Sequence, residues 1–145
     1  MLLTDPAATE AFGARLAGLV GPGDVVTLSG PLGAGKTSVA RGLLAALGLA
    51  GEAPSPSFAI VQPYAPPEVR MPVLHVDLYR VEHSDELEEL GLDEALTDSV
   101  LLVEWPDRAP GRWPQALALS LAIEPGGSRV LTVDAPPAWE GRWPI

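Results

Sequence analysis

The sequence predicts an α/β fold, with a central, mostly parallel sheet, helices around it and antiparallel strands at its C-terminal edge. Three observations predict it. An apolar strand, VVTLS at Val25 to Ser29, runs straight into a glycine-rich loop that opens a helix. Two further apolar strands, VLHVD and VLLVE, each stop on an acidic residue, Asp77 and Glu104. The order of elements alternates helix and strand through most of the chain and ends on two consecutive strands, which is the order of a largely parallel sheet with an antiparallel edge.

Each element has a local reason. Asp5-Pro6 is an N-cap followed by proline at the first helical position. Phe12, Leu16, Leu19 and Val20 then fall on one helical face. Gly21-Pro22-Gly23 ends that helix, and the first strand follows at once. The second helix is expected over Thr37 to Leu47, with Gly48 as its C-cap. GEAPSPSF, Gly51 to Phe58, is a turn-rich loop, and AIVQPY reads as an extended edge segment before the break at Ala65-Pro66-Pro67. PVLHVDLYR contains the strand that ends at Asp77. SDELEELG carries a capping-box signature starting at Ser84. Val100 to Trp105 is the clearest buried strand, and Ala116 to Ile123 and Val130 to Val133 are closing strands. Beyond about residue 136, two arrangements are open for Trp139 and Trp143: packed back on the body, or a loose tail.

At 145 residues, 1–145 is a single domain's worth of chain. Folding a chain of this size buries about 70% of its unfolded surface, enough for a core without disulfide or structural metal. Cysteine is absent, which excludes disulfides and thiolate metal sites. His75 and His83 are the only histidines, and no carboxylate spacing beside them suggests zinc. No apolar run approaches the ~18 residues of a membrane span. The opening MLLTDPAATEAF has neither a basic stretch nor a signal-peptide core, so the expectation is a cytoplasmic protein with no membrane partner.

The formal charge is −10. Such a chain repels phosphate backbones and gains nothing from counterion release, so direct binding to nucleic acid is not expected unless a protein partner supplies the basic surface. Asn is absent and proline is plentiful at 16, a bias that suits heat stability and that a GC-rich genome gives equally. Of nine basic residues, Lys36 alone is lysine. A compact ammonium does what a planar guanidinium cannot, so this position needs lysine.

The glycine-rich loop fits G-x-x-x-x-G-K-[ST] through Gly30, Gly35, Lys36 and Thr37. Its glycines permit positive φ and close backbone approach. Successive N–H groups then line an anion site at a helix start. Lys36 reaches the β- and γ-phosphates, Thr37 can ligate Mg²⁺, and Ser38 can add a hydroxyl toward the α-phosphate. With a strand before it and a helix after it, this loop extends the fold class to a P-loop NTPase-like three-layer arrangement. Mg²⁺ usually takes one or two carboxylates together with phosphate oxygens and water. Asp77 and Glu104 both lie at strand carboxyl ends, where ligands of open α/β sheets bind. Which of them touches the metal stays open from the residues alone. The acidic run from Glu82 to Asp98 reads as a solvated face, with a docking surface for a basic partner as the sharper alternative. Trp105 is either packing or a functional aromatic, and His75 reads as a packed core residue.

With these pieces placed, the sequence resembles the TsaE (YjeE) family of small P-loop ATPases. Thr9, Gly13 and Leu16 fit its first helix, and SGPLGAGKTS resembles its phosphate loop. SPSF at Ser55 to Phe58 resembles its S-P-T-F loop, with Tyr64 downstream, and HVDLYR at His75 to Arg80 resembles its H-x-D-L-Y-R motif. ELEELGLDEAL and VEWPD fit later segments, and Arg129 matches an arginine of the last strands. Pro31 stands where the family usually has an acidic residue, and Ser57 replaces the threonine of S-P-T-F. The tail from Pro136 matches nothing.

The resemblance implies that Thr37 and Glu104 hold Mg²⁺, that Asp77 orients the metal shell or attacking water, and that Lys36, Asp77 and Glu104 are the catalytic set. It implies ATP as substrate, its phosphates wrapped by Gly33, Ala34, Gly35, Lys36, Thr37 and Ser38, Arg129 near the nucleotide, and a switch-like loop at Ser55 and Ser57. It also implies partners, TsaD and TsaB, in installing threonylcarbamoyl on adenosine next to the anticodon, with tRNA reached only through that complex. Two other functions fit the residues: a small-molecule kinase, and a nucleotide-dependent binding module without useful hydrolysis. The N-K-x-D guanine-reading motif cannot be present without Asn.

Overall fold

The computed structural model describes residues 1–51, 53 and 60–143, and of Ser84 the backbone alone. Among the described residues, seven strands form one sheet in the order β1-β7-β6-β2-β5-β4-β3. They are β1 (Leu2–Leu3), β2 (Val25–Ser29), β3 (Val61–Tyr64), β4 (Val73–Asp77), β5 (Val100–Glu104), β6 (Leu117–Ile123) and β7 (Arg129–Asp134). The four inner strands, β6, β2, β5 and β4, run parallel. β7 and β1 add antiparallel strands on one side and β3 on the other. The expected architecture is present, with two additions. Val61–Tyr64 of the expected edge segment form the antiparallel β3, and Leu2–Leu3 pairs with β7 at the far edge. Two residues are too short to carry a period-2 pattern, so β1 left no trace in the sequence.

The parity of side chains on the strands divides the core. On β5, Val100 and Leu102 join the apolar cluster under helices α1 (Pro6–Leu16) and α2 (Lys36–Ala46). Leu101 and Val103 join a second cluster on the opposite face, with Val76, Leu78, Leu87 and Leu92. Because successive strand residues point to opposite faces, Glu104 lies on the same face as Leu102, the α1–α2 face. Register sets Asp77 beside Glu104 and His75 beside Leu102, so one face of the inner sheet collects all three polar groups. The second face is covered by a 3₁₀ segment, Ser84–Leu90, and the one-turn α3 (Leu92–Ala95). These are the three layers that the phosphate-loop order implies.

Helix α1 starts as the sequence predicts: the Asp5 carboxylate accepts the Ala8 N–H at 2.8 Å, and Pro6 occupies the first turn. α1 and α2 cross with no room for side chains between them. A Cβ on Gly13 would lie 2.0 Å from the Val39 carbonyl oxygen, and one on Gly42 2.0 Å from that of Glu10. The cap of the acidic segment falls one residue earlier than expected. His83 rather than Ser84 is the N-cap, and the Glu86 carboxylate accepts its N–H at 3.2 Å. The reason is spacing, since Glu86 stands three residues after His83. Leu87 and Leu92 turn inward while Asp85, Glu86, Glu88, Glu89, Asp93 and Glu94 stay exposed.

Residues 136–143 pack on the body. Trp139 is buried, donates its indole N–H to the Gln115 carbonyl at 3.2 Å, and lies under the Arg142 guanidinium. Arg142 in turn makes two hydrogen bonds to the Asp24 carboxylate, at 2.6 and 3.1 Å. Trp143 meets Phe12 edge-on at 6.2 Å.

Candidate functional site

The phosphate loop lies where β2 ends and α2 begins. Its N-cap, Gly35, has φ of 106° and caps nothing with a side chain, which leaves the first N–H groups of α2 turned toward the loop's interior. Gly30 has φ of 144°, and a Cβ there would lie 2.5 Å from the Leu121 carbonyl oxygen, so the loop also needs glycine where it leaves the strand. A cavity of about 260 Å³ opens over the helix end. It is lined by Leu32, the stretch from Gly33 to Ser38, and Asp77, Glu104 and Trp105.

The sequence-predicted residues meet there. The Thr37 hydroxyl lies 3.1 Å from both carboxylate oxygens of Glu104. Lys36 donates to the Gly30 and Pro31 carbonyls, and its ammonium sits 4.0 Å from the centre of the Trp105 ring. Burial lowers the Lys36 pKa below that of an ordinary lysine, and the negative charges of Glu104, Asp77 and Asp107 oppose that shift. Asp77 is buried at the end of β4, and its carboxylate accepts the Tyr79 N–H at 2.9 Å, an Asx turn that fixes its orientation. Ser38 lines the same wall.

Arg129 sits on the other side of the loop. Its guanidinium donates to the carbonyls of Ala34 at 3.2 Å and Gly33 at 3.1 Å, and to that of Gly127. The last strand of the inner sheet's antiparallel edge thus grips the loop from behind. A second cavity of about 310 Å³ adjoins there, walled by Leu3, Thr4, Asp5, Thr9, Gly127 and Arg129, and it shares Gly33, Ala34, Gly35 and Ser38 with the first. Ser55 and Ser57 lie outside the described residues.

Two features of the site were not visible in the chain. His75, which reads as a packed residue, places Nε2 2.6 Å from Glu104 Oε2, while its Nδ1 has no partner among the described residues. Trp105 adopts a left-handed backbone (φ 60°, ψ 52°), which is strained for a bulky residue. That turn lays its ring over Lys36 and against Tyr79, at 5.0 Å. The signal for His75 was its place two residues before Asp77, on the same face of a strand. The signal for Trp105 was its position directly after a strand-ending acid.

Residues 3–130 match the family model of threonylcarbamoyl adenosine biosynthesis protein TsaE. The chain belongs to the TsaE family. It is 49% identical over 95 residues to the tRNA threonylcarbamoyladenosine biosynthesis protein TsaE of Streptomyces coelicolor, covering 65% of this chain and 64% of that one. It is 41% identical over 104 residues to the Mycobacterium leprae TsaE, covering 67% and 65%. With the Bacillus subtilis TsaE it shares 40% identity over 124 residues, 85% of this chain and 75% of the relative. The matched stretches therefore span just under two thirds of the first two relatives. A crystal structure of B. subtilis YdiB superposes with a TM-score of 0.77 at 32% identity, over 93% of this chain and 83% of that one. The TsaE match stops at residue 130, so the packed segment from Pro136 onward lies beyond it. Among the described residues, no helix is long and apolar enough to cross a membrane.

Proposed function

We propose that this chain is a Mg²⁺-dependent ATPase that serves the assembly installing threonylcarbamoyl on adenosine next to the tRNA anticodon. The observation that carries the reading is the pairing of the Thr37 hydroxyl with the Glu104 carboxylate beside the phosphate loop. Two hard oxygen donors, one from a helix start and one from a strand end, suit an ion that takes only one or two protein ligands and completes its shell with phosphate oxygens and water. Mg²⁺ bound there would neutralise charge that develops on the phosphates during cleavage.

The chain's own residues do the rest. N–H groups from Gly33 to Ser38 bind the phosphates at the positive end of α2. Among the described residues, Lys36 is the cation that lines the cavity. Asp77, held by its Asx turn, orients the metal shell or the attacking water. Arg129 holds the loop by its carbonyls, so the loop's N–H groups stay turned inward. Phosphoryl transfer to water asks for little beyond such positioning and charge stabilisation. Among the described residues, no arginine lines the phosphate cavity, which fits slow basal hydrolysis completed by partners, TsaD and TsaB. With a net charge of −10 the chain reaches tRNA through them. The site of action is then cytoplasmic.

The test is reconstitution of tRNA threonylcarbamoylation from the purified chain, TsaD, TsaB and tRNA with Mg·ATP. The wild type should support repeated rounds of modification. Glu104→Gln should still bind ATP and join the assembly but fail to sustain those rounds. If Glu104→Gln sustains them as well as the wild type, the chain is a nucleotide-dependent binding module instead.

A further inference from the structure

The Thr37 hydroxyl lies at the same distance, 3.1 Å, from Oε1 and Oε2 of Glu104. A contact that treats both oxygens alike holds the carboxylate in place but does not fix which oxygen turns where. The His75 contact is one-sided: Nε2 lies 2.6 Å from Oε2 alone. His75 is fully buried and reaches across from the neighbouring strand on the same sheet face. A carboxylate oxygen accepts, so Nε2 carries the hydrogen. Nδ1, buried and without a partner among the described residues, is then a bare acceptor.

We propose that His75 is a positioning residue: its Nε2–H pins Oε2 of Glu104 to the sheet and leaves Oε1 as the oxygen that takes the metal. The inference rests on the proposed Mg²⁺ site and adds a residue to it. Groups that orient a ligating carboxylate typically set metal affinity by about 10- to 100-fold when removed. A purely structural histidine would affect stability and leave the metal dependence of binding intact.

The experiment measures ATP affinity by calorimetry with Mg²⁺ and with excess chelator, in the wild type and two variants. His75→Met keeps the volume and removes the donor, and His75→Gln keeps an N–H at comparable reach. The ratio of the two affinities is the readout, because it cancels any general loss of binding. We expect His75→Met to lower the Mg²⁺ enhancement at least 10-fold, and His75→Gln to restore most of it. An unchanged enhancement in His75→Met overturns the proposal. No enhancement in the wild type overturns the Mg²⁺ site itself, a separate outcome. Should His75→Met fail to fold, ¹⁵N imidazole spectra of the wild-type protein decide the matter. A protonated Nε2 supports the assignment, and a bare Nε2 with protonated Nδ1 overturns it.

Discussion

Replacing Gly42 with alanine sets two opposed effects against each other, and the structure says which wins. In an open helix interior the change gains about 1 kcal/mol in helix propensity. Here the new methyl would lie 2.0 Å from the Glu10 carbonyl oxygen, 2.7 Å from its carbon and 2.9 Å from the Glu10 Cα. All three atoms are backbone, so no side chain can turn aside, and α1 and α2 must part by more than an ångström. Overpacking of this kind costs typically 1–3 kcal/mol and occasionally more, and a clash with a rigid helix belongs at the upper end. The net expectation is a loss of about 2 kcal/mol, since the ~3 kcal/mol of strain exceeds the ~1 kcal/mol of propensity. For a domain of this size that lowers Tm by about 8 °C.

The same substitution at Gly18 is the internal control. Its nearest obstacle is the Arg15 carbonyl oxygen at 3.7 Å, and its φ is not in the left-handed region, so Gly18→Ala should leave stability unchanged or raise it by about 0.5 kcal/mol. Urea and thermal melts of both variants check the pair. Equal stability of Gly42→Ala and Gly18→Ala would refute the argument that backbone contact between α1 and α2 fixes their spacing.

Other outcomes follow from the same geometry. Trp139→Ala should cost about 3–5 kcal/mol in a urea melt, as a buried core aromatic does, although it lies beyond the family match. Lys36→Arg should reduce ATP hydrolysis roughly 10²-fold, because the planar guanidinium cannot take the place of a point charge inside the loop; phosphate-release assays measure it. Burial lowers the Lys36 pKa, whereas a phosphate beside it would raise that pKa again. ATP binding should therefore take up protons, and affinity should fall as pH rises through the lysine's lowered value. Calorimetry in two alkaline buffers of different ionisation enthalpy reads this directly, and proton release would contradict it.

Most of what positions the site can be read from local pattern. The strand–loop–helix around Gly30 to Thr37 and the acids ending β4 and β5 are neighbours in sequence to the features that define them. The parallel centre follows from element order, and register then brings Asp77 beside Glu104. What escaped is long-range. The β1 pairing joins residues near the two ends of the chain, and no periodicity marks a two-residue strand. The His75–Glu104 contact spans two strands, and a lone histidine on an apolar strand looks the same in sequence whether it only packs or bonds to a carboxylate. The Asp24–Arg142 pair likewise joins distant segments, and without it nothing in the tail's composition decides between packed and loose. The capping box shifted by one residue because the glutamate, not the serine, fixes the phase.

The most direct test of the account is release of the terminal phosphate from ATP by the purified chain, measured with Mg²⁺ and with chelator, for the wild type and Thr37→Ala. The Thr37–Glu104 site predicts slow release that requires Mg²⁺ and is lost in Thr37→Ala. Release that persists without Mg²⁺, or that Thr37→Ala leaves untouched, would contradict it.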